Sequence, residues 1–185
     1  MLKLLGIYGS GAVAAAGAFE AIASATGTGS SGTITFSSIP STFKHLQIRY
    51  MARTDRAQLQ DYLLLRFNSD TGSNYSYHKL YGDGSAAASG AATSQTSIES
   101  AITAGATATA SIFGAGSIDI LDYADTNKYK TTRTLDGLDR NGSGFVTLTS
   151  GNWRSASAVS TITITSYGVA NFVQYSSFAL YGIKG

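Results

Sequence analysis

The sequence predicts an all-β protein, folded as an antiparallel β-sandwich of jelly-roll type. Apolar side chains alternate with polar ones in several short segments, which is the period of a half-buried strand. Turns rich in Gly, Asn and Asp separate these segments, and the body of the chain has no convincing helical periodicity. The chain has 185 residues, of which 43% are hydrophobic, so it is long enough for one domain with a substantial core.

The clearest alternation lies in residues 44–70, where two apolar series are separated by a polar connection. Three arginines, Arg49, Arg53 and Arg66, fall on the opposite faces and predict a cationic surface. The same alternation in later segments completes a set of side chains that we expect to be buried. This predicted core comprises Leu46, Ile48, Leu63, Leu65, Phe67, Ile118, Ile120, Ile162, Ile164 and Leu180.

The next segment predicts a strand with an aromatic face, because Tyr75, Tyr77 and Tyr81 share one parity. Such a row is usually half-buried packing, and less often, here with Trp153, a contact surface for sugar or protein. The preceding triplet 70–72 has the letters of an aspartic protease motif. Its flanks are polar turn residues rather than an apolar strand, so we interpret it as a turn.

Residues 82–116 are dominated by Ala, Ser, Thr and Gly. Small side chains leave little to bury, so we predict a long loop with at most one edge strand. Regular alternation resumes in residues 118–123, 128–135, 145–148, 159–166 and 178–183, each predicted to be a strand.

The N-terminal part predicts an arm and a flexible link over residues 1–32, preceding a sandwich domain over residues 33–185. The arm is expected to be extended or to hold a short helix within residues 12–25. It carries five apolar side chains, Leu2, Leu4, Leu5, Ile7 and Tyr8. Glycines interrupt this apolar run, which argues against a secretory signal, and the run is too short to span a bilayer. Residues 27–32 match G-x-G-x-x-G, but no strand precedes them and no helix follows, so we predict a link.

Composition excludes several functions. Charged residues make up 13% of the chain and the net charge is +2, which argues against nucleic acid as a partner and suits a protein that lives in an assembly. No cysteine is present, so disulfides and thiolate metal sites are excluded. Asp119, Asp122 and Asp125 have oxygen ligands that calcium accepts, but turn formation is the preferred interpretation. We expect no enzyme activity, no cofactor, no metal and no membrane partner.

Four segments resemble small virion proteins of tailed bacteriophages. They are residues 38–49, residues 65–70 together with Tyr77-His78, residues 118–123, and residues 178–184. The similarity covers the chain from about Phe36 to the C-terminus and leaves out the arm. It implies a structural component of the virion, found with other virion proteins and assembled as a homo-oligomer, with a trimer favoured.

Two roles follow from this resemblance. In the first, the protein is a capsid decoration or cement protein that stabilises the shell through contacts with the major capsid protein, with the arm as its anchor. In the second, it is a tail fibre or spike module, bound to a tail or baseplate protein, that attaches to the host surface. Tyr75, Tyr77, Tyr81 and Trp153 would then stack on sugar rings. The single short domain, without a fibrous repeat, favours the first role.

Overall fold

The structure, a computed structural model, describes residues 17–185 and contains only β-strands as regular elements there. Twelve strands follow one another along the chain: β1 Phe19–Thr26, β2 Thr33–Phe36, β3 His45–Ala52, β4 Gln60–Phe67, β5 Tyr75–Gly82, β6 Ala87–Gln95, β7 Ile98–Ala104, β8 Gly114–Leu121, β9 Lys130–Asp139, β10 Gly144–Trp153, β11 Ile162–Ser166 and β12 Ser177–Ile183. The predicted all-β class is confirmed.

The strands form two antiparallel sheets that pack as a sandwich. The larger sheet has the order β1-β12-β3-β8-β9-β10-β5-β6, and the smaller sheet has the order β2-β11-β4-β7. In a jelly roll, the eight strands lie in the orders 1-8-3-6 and 2-7-4-5. In the smaller sheet, β2, β11, β4 and β7 correspond to jelly-roll strands 1, 8, 3 and 6. In the larger sheet, β3, β5 and β6 correspond to strands 2, 4 and 5, and the three strands β8, β9 and β10 take the place of strand 7. Strands β12 and β1 are additional and lie beside β3.

The core lies between the two sheets and contains every side chain predicted for it. All ten predicted residues are at most 1% exposed, from Leu46 in β3 to Leu180 in β12. Aromatic side chains complete the same cluster, among them Tyr123, Phe172 and Phe178. Period-two alternation therefore identified the inward face of each strand correctly.

The small-residue segment is more ordered than its composition predicts. Residues 82–116 hold all of β6 and β7 and the start of β8, so the prediction of one long loop is wrong for this segment. Ser100 of β7 is buried and its hydroxyl bonds the hydroxyl of Thr134 in the opposite sheet at 2.9 Å. A Cβ on Gly114 would lie 2.8 Å from the Cα of Thr103. Small side chains here allow close approach of the two sheets, and sheet hydrogen bonds replace hydrophobic bulk as the source of order.

The N-terminal part contains a strand rather than a helix from Phe19 onward. Strand β1 pairs with β12 and forms one edge of the larger sheet, whereas the apolar residues predicted to form the arm lie outside the described residues. The link is held by backbone bonds, since Gly27 donates to Ser176 at 2.8 Å and Gly29 donates to Phe172 at 2.8 Å. A Cβ on Gly27 would lie only 2.4 Å from the carbonyl oxygen of Val173. Close backbone approach, rather than flexibility, explains this glycine.

Candidate functional site

Two of the four residues predicted as an aromatic contact surface are core residues. Tyr75 is 0% exposed and Trp153 is 2% exposed, and their rings stack with centroids 6.3 Å apart. The indole N–H of Trp153 donates to Asp70 at 2.7 Å, and this bond lowers the pKa of the Asp70 carboxyl. Asp70 also accepts the backbone N–H of Gly72, as the predicted turn requires. Neither buried ring presents a face to a sugar, so the predicted contact surface is wrong at Tyr75 and Trp153.

The other two, Tyr77 and Tyr81, are half-buried and surround a lysine. The ammonium of Lys79 pairs with the Glu99 carboxylate and lies 5.9 Å from each of these two ring centroids. It lies 5.1 Å from the centroid of Tyr62 in the opposite sheet. This aromatic face therefore already contacts a cation of its own chain, which explains the tyrosines as packing between the sheets.

An aspartate lies in the polar interior behind this cluster. Asp136 of β9 is 4% exposed and accepts the backbone N–H of Ile102 at 2.9 Å with one carboxyl oxygen. Its second oxygen has no hydrogen-bond partner, and neither does the hydroxyl of Thr147, the residue directly opposite it on β10. Burial raises the pKa of Asp136 to about 7. A carboxyl in this setting titrates near neutral pH, although it lies inside the sandwich.

Two basic side chains organise loops through backbone carbonyls. Arg53 donates four hydrogen bonds of 2.8–3.0 Å to carbonyl oxygens in the loop of residues 105–113. Lys130 is completely buried, and its ammonium donates to three carbonyl oxygens, those of Asp125, Lys128 and Ala156. Arg53 was predicted to form part of a cationic surface, but its guanidinium donates its hydrogen bonds to the loop of residues 105–113.

Asp61 has a similar role at the end of the smaller sheet. It is completely buried and accepts hydroxyl bonds from Thr54 at 2.9 Å and from Ser166 at 2.5 Å. The guanidinium of Arg56 lies 3.2 Å away. The sequence carried a signal for this residue, because Asp61 shares the parity of the inward-facing Leu63. A charged residue at an inward position is expected to have partners when it is buried.

The carboxylates considered for calcium are occupied by side chains or backbone groups of the same chain. Asp119 bonds Arg133 at 2.8 Å, Asp122 pairs with Lys44 at 2.8 Å, and Asp125 accepts the backbone N–H of a turn residue. Within residues 17–185, no group of three or more His, Cys, Asp or Glu side chains could hold a metal ion. The same part of the chain contains no helix that could cross a membrane.

The most distinctive surface is the outer face of the larger sheet. Leu80, Leu148 and Leu135 lie side by side on β5, β10 and β9, and we name this row the leucine ridge. Their side chains are 55%, 48% and 58% exposed, and that of the adjacent Val146 is 64% exposed. Exposed leucines in contact across three strands form a patch, and patches of this kind mark interaction sites.

A hollow runs along one side of the leucine ridge. It has a volume of about 620 Å³, and its lining includes Gly82, Gly137, Ala115 and Val146. Residues of the loop after β5 and of the turn between β9 and β10 close its far side. Glycine and alanine on adjacent strands leave this hollow open next to the ridge.

Comparison of the chain with protein-family models, with curated proteins and with solved structures finds no match. Fold and surface together define a jelly-roll β-sandwich with an exposed apolar row on one sheet face.

Proposed function

We propose that this chain is a structural protein of a bacteriophage virion, a decoration or cement protein that binds the capsid and stabilises the shell. The resemblance of four segments to virion proteins supports the virion as its location. A jelly roll serves many functions, so the fold alone does not carry the proposal.

The observation that carries it is a core that, within residues 17–185, is built almost entirely from β2 onward. The buried cluster draws on β2, β3, β4, β5, β7, β8, β10, β11 and β12 and on the loops between them, and β1 adds only the partly buried Ile22 and Ala25. The sequence before β1 carries five further apolar side chains. Their full burial against a partner would contribute roughly 1.5–3 kcal/mol each before entropy is subtracted. These anchoring residues are Leu2, Leu4, Leu5, Ile7 and Tyr8.

The alternative role, a tail fibre or spike module, has less support. That role required four aromatic side chains to stack on sugar rings, and two of them, Tyr75 and Trp153, are buried. Tyr77 and Tyr81 contact the ammonium of Lys79. No exposed aromatic row is left on β5 for stacking.

Copy number separates the two roles. Quantitative mass spectrometry of purified parent virions should find this protein at hundreds of copies if it decorates the shell. A count of about a dozen would contradict a decoration role and would favour the tail.

The anchor is tested by deleting residues 1–16, which leaves β1 in place. The truncated protein should keep the melting temperature of the full-length chain but should not bind virions that lack the protein. A variant with Leu2 and Leu4 replaced by serine provides a full-length control and should bind weakly. Normal binding by the truncated protein would refute the anchoring role, and a large fall in melting temperature would place the segment on its own domain.

A further inference from the structure

We propose that the outer face of the larger sheet binds a second copy of the same chain, sheet against sheet, about a two-fold axis perpendicular to the strands. This pairing is independent of the virion role and of the N-terminal anchor. Its basis is that the face is complementary to itself in shape and in charge.

One half of the face, formed by the neighbouring strands β6, β5, β10 and β9, has two adjacent rows without charge. The first row consists of Ser89 and the three leucines of the ridge. The second row consists of Ala87, Gly82, Val146 and Gly137. An uncharged area of this kind does not require desolvation of ions when it is covered. It therefore suits another apolar face.

Shape complementarity comes from leucine and glycine two residues apart on the same outward face. On β5 the pair is Leu80 and Gly82, and on β9 it is Leu135 and Gly137. A two-fold axis that runs between the two rows places each row over the other row of the second copy. Leu80 and Leu135 then lie over Gly82 and Gly137 of the other copy, so the two ends of the ridge enter the glycine positions, and Leu148 between them packs against Val146.

Charge complementarity follows from the same axis. Arg133 lies one row outside the ridge on β9, and Asp139 lies one row outside the glycine row on the same strand. The axis places Arg133 of one copy over Asp139 of the other, and this occurs twice in the pair. The Arg133 side chain is 65% exposed although it bonds Asp119, so its remaining donors are free for a second carboxylate.

The available area is sufficient for a stable contact. Eight strands spaced about 4.8 Å apart give a face roughly 35 Å wide, and four outward rows extend it about 20 Å along the strands. Coverage of the whole face, including the polar half with Arg49 and Asp119, corresponds to roughly 700 Å² for each copy, close to the ~800 Å² that each partner contributes to a standard interface.

The decisive variant is Gly137→Val, which fills the hollow without disturbing the isolated chain. A Cβ at this position meets nothing closer than the carbonyl oxygen of Phe145 at 3.6 Å, an ordinary contact. Sedimentation of the full-length protein should give twice the chain mass of 19.2 kDa, and Gly137→Val should weaken the dimer at least tenfold. The matched control is Gly17→Val, outside the face, where the nearest atom to a Cβ is 3.4 Å away. This control should dimerise like the wild type.

Charge reversal tests the orientation of the two copies. Arg133→Asp and Asp139→Arg should each weaken the dimer, and the double variant should recover part of the loss because the pair re-forms with its signs exchanged. A double variant as weak as the sum of its single changes would overturn the two-fold arrangement.

Three results would overturn the pairing itself. A wild-type chain that stays monomeric up to about 0.1 mM has no such interface. A trimer, or a dimer unaffected by Gly137→Val, would place the contact elsewhere. If deletion of residues 1–16 abolishes the dimer, the N-terminal segment forms the contact. If the dimer forms only after that deletion, the segment covers this face in the full-length chain.

Discussion

The substitution Asp136→Asn probes a buried carboxyl whose pKa is raised. The Asp136 side chain is buried between the sheets, where burial raises its pKa from 3.8 to about 7. The bond from the backbone N–H of Ile102 and the charge of Lys79 lower this pKa, but burial has the larger effect. The protonated form is therefore the one that the folded state favours.

The sign of the pH dependence follows from this shift. The native carboxyl binds its proton more tightly than the unfolded one, so its contribution to stability is greatest below about pH 4 and is lost as the pH rises through about 7. A pKa difference of about 3 corresponds to roughly 4 kcal/mol of unfolding free energy. Asn keeps an acceptor for Ile102, and its amide can donate to the unpartnered hydroxyl of Thr147 opposite. We expect Asp136→Asn to be more stable than the wild type at pH 8, by up to that amount.

Urea unfolding between pH 4.5 and 8, at one protein concentration, measures how the free energy of unfolding depends on pH. The pKa values of Asp83 and Asp122 are lowered to about 2, so their contributions change only below this range. The difference between wild type and Asp136→Asn isolates the buried carboxyl from other groups that titrate in the window. Thr131→Ser, at an exposed and non-titrating position on the same strand, is the control and should keep the wild-type slope. Equal slopes for wild type and Asp136→Asn would refute the assignment.

Two further substitutions test the basic side chains that donate to loop carbonyls. Lys130→Met keeps the apolar stem but leaves three carbonyl oxygens without a donor, so urea unfolding should show a loss of roughly 2–4 kcal/mol. Unchanged stability would mean that water replaces the ammonium. Arg53→Lys cannot donate four bonds from one planar group, so amide hydrogen exchange in residues 105–113 should accelerate at least tenfold while global stability changes little. The equally basic Arg66→Lys should leave exchange in that loop unchanged.

The predictable part of this fold is the part in which apolar and polar residues alternate. Strands such as β3 and β4 carry large aliphatic side chains on one parity, so both their existence and their buried face follow from the sequence. Strands β6 and β7 do not carry this signal. Their order comes from sheet hydrogen bonds and close approach of small residues, as at Ser100 and Gly114, and these interactions depend on partners far away in sequence.

The surface was harder to predict than the core because parity does not say which face of a strand is covered. Tyr75, Tyr77 and Tyr81 were correctly placed on one face of β5, but that face points into the sandwich. The other face of the same strand, with Leu80 and Gly82, lies on the exposed side. Only the sheet order, which places β9 and β10 beside β5, aligns the leucines into a ridge and the glycines into a hollow.

The two proposals lead to one arrangement when they are combined. A two-fold axis perpendicular to the strands preserves strand order, so β1 of one copy lies on the same side of the pair as β1 of the other. The axis also reverses the strand direction, so the two copies of Phe19, at the start of β1, lie at opposite ends of that side. Two anchors on one side of a dimer can bind one surface together, which raises the effective affinity by a factor of roughly 10²–10⁴ over a single anchor. Gly137→Val should therefore weaken virion binding even though it changes no anchoring residue, whereas it should leave the binding of one isolated anchor unaltered.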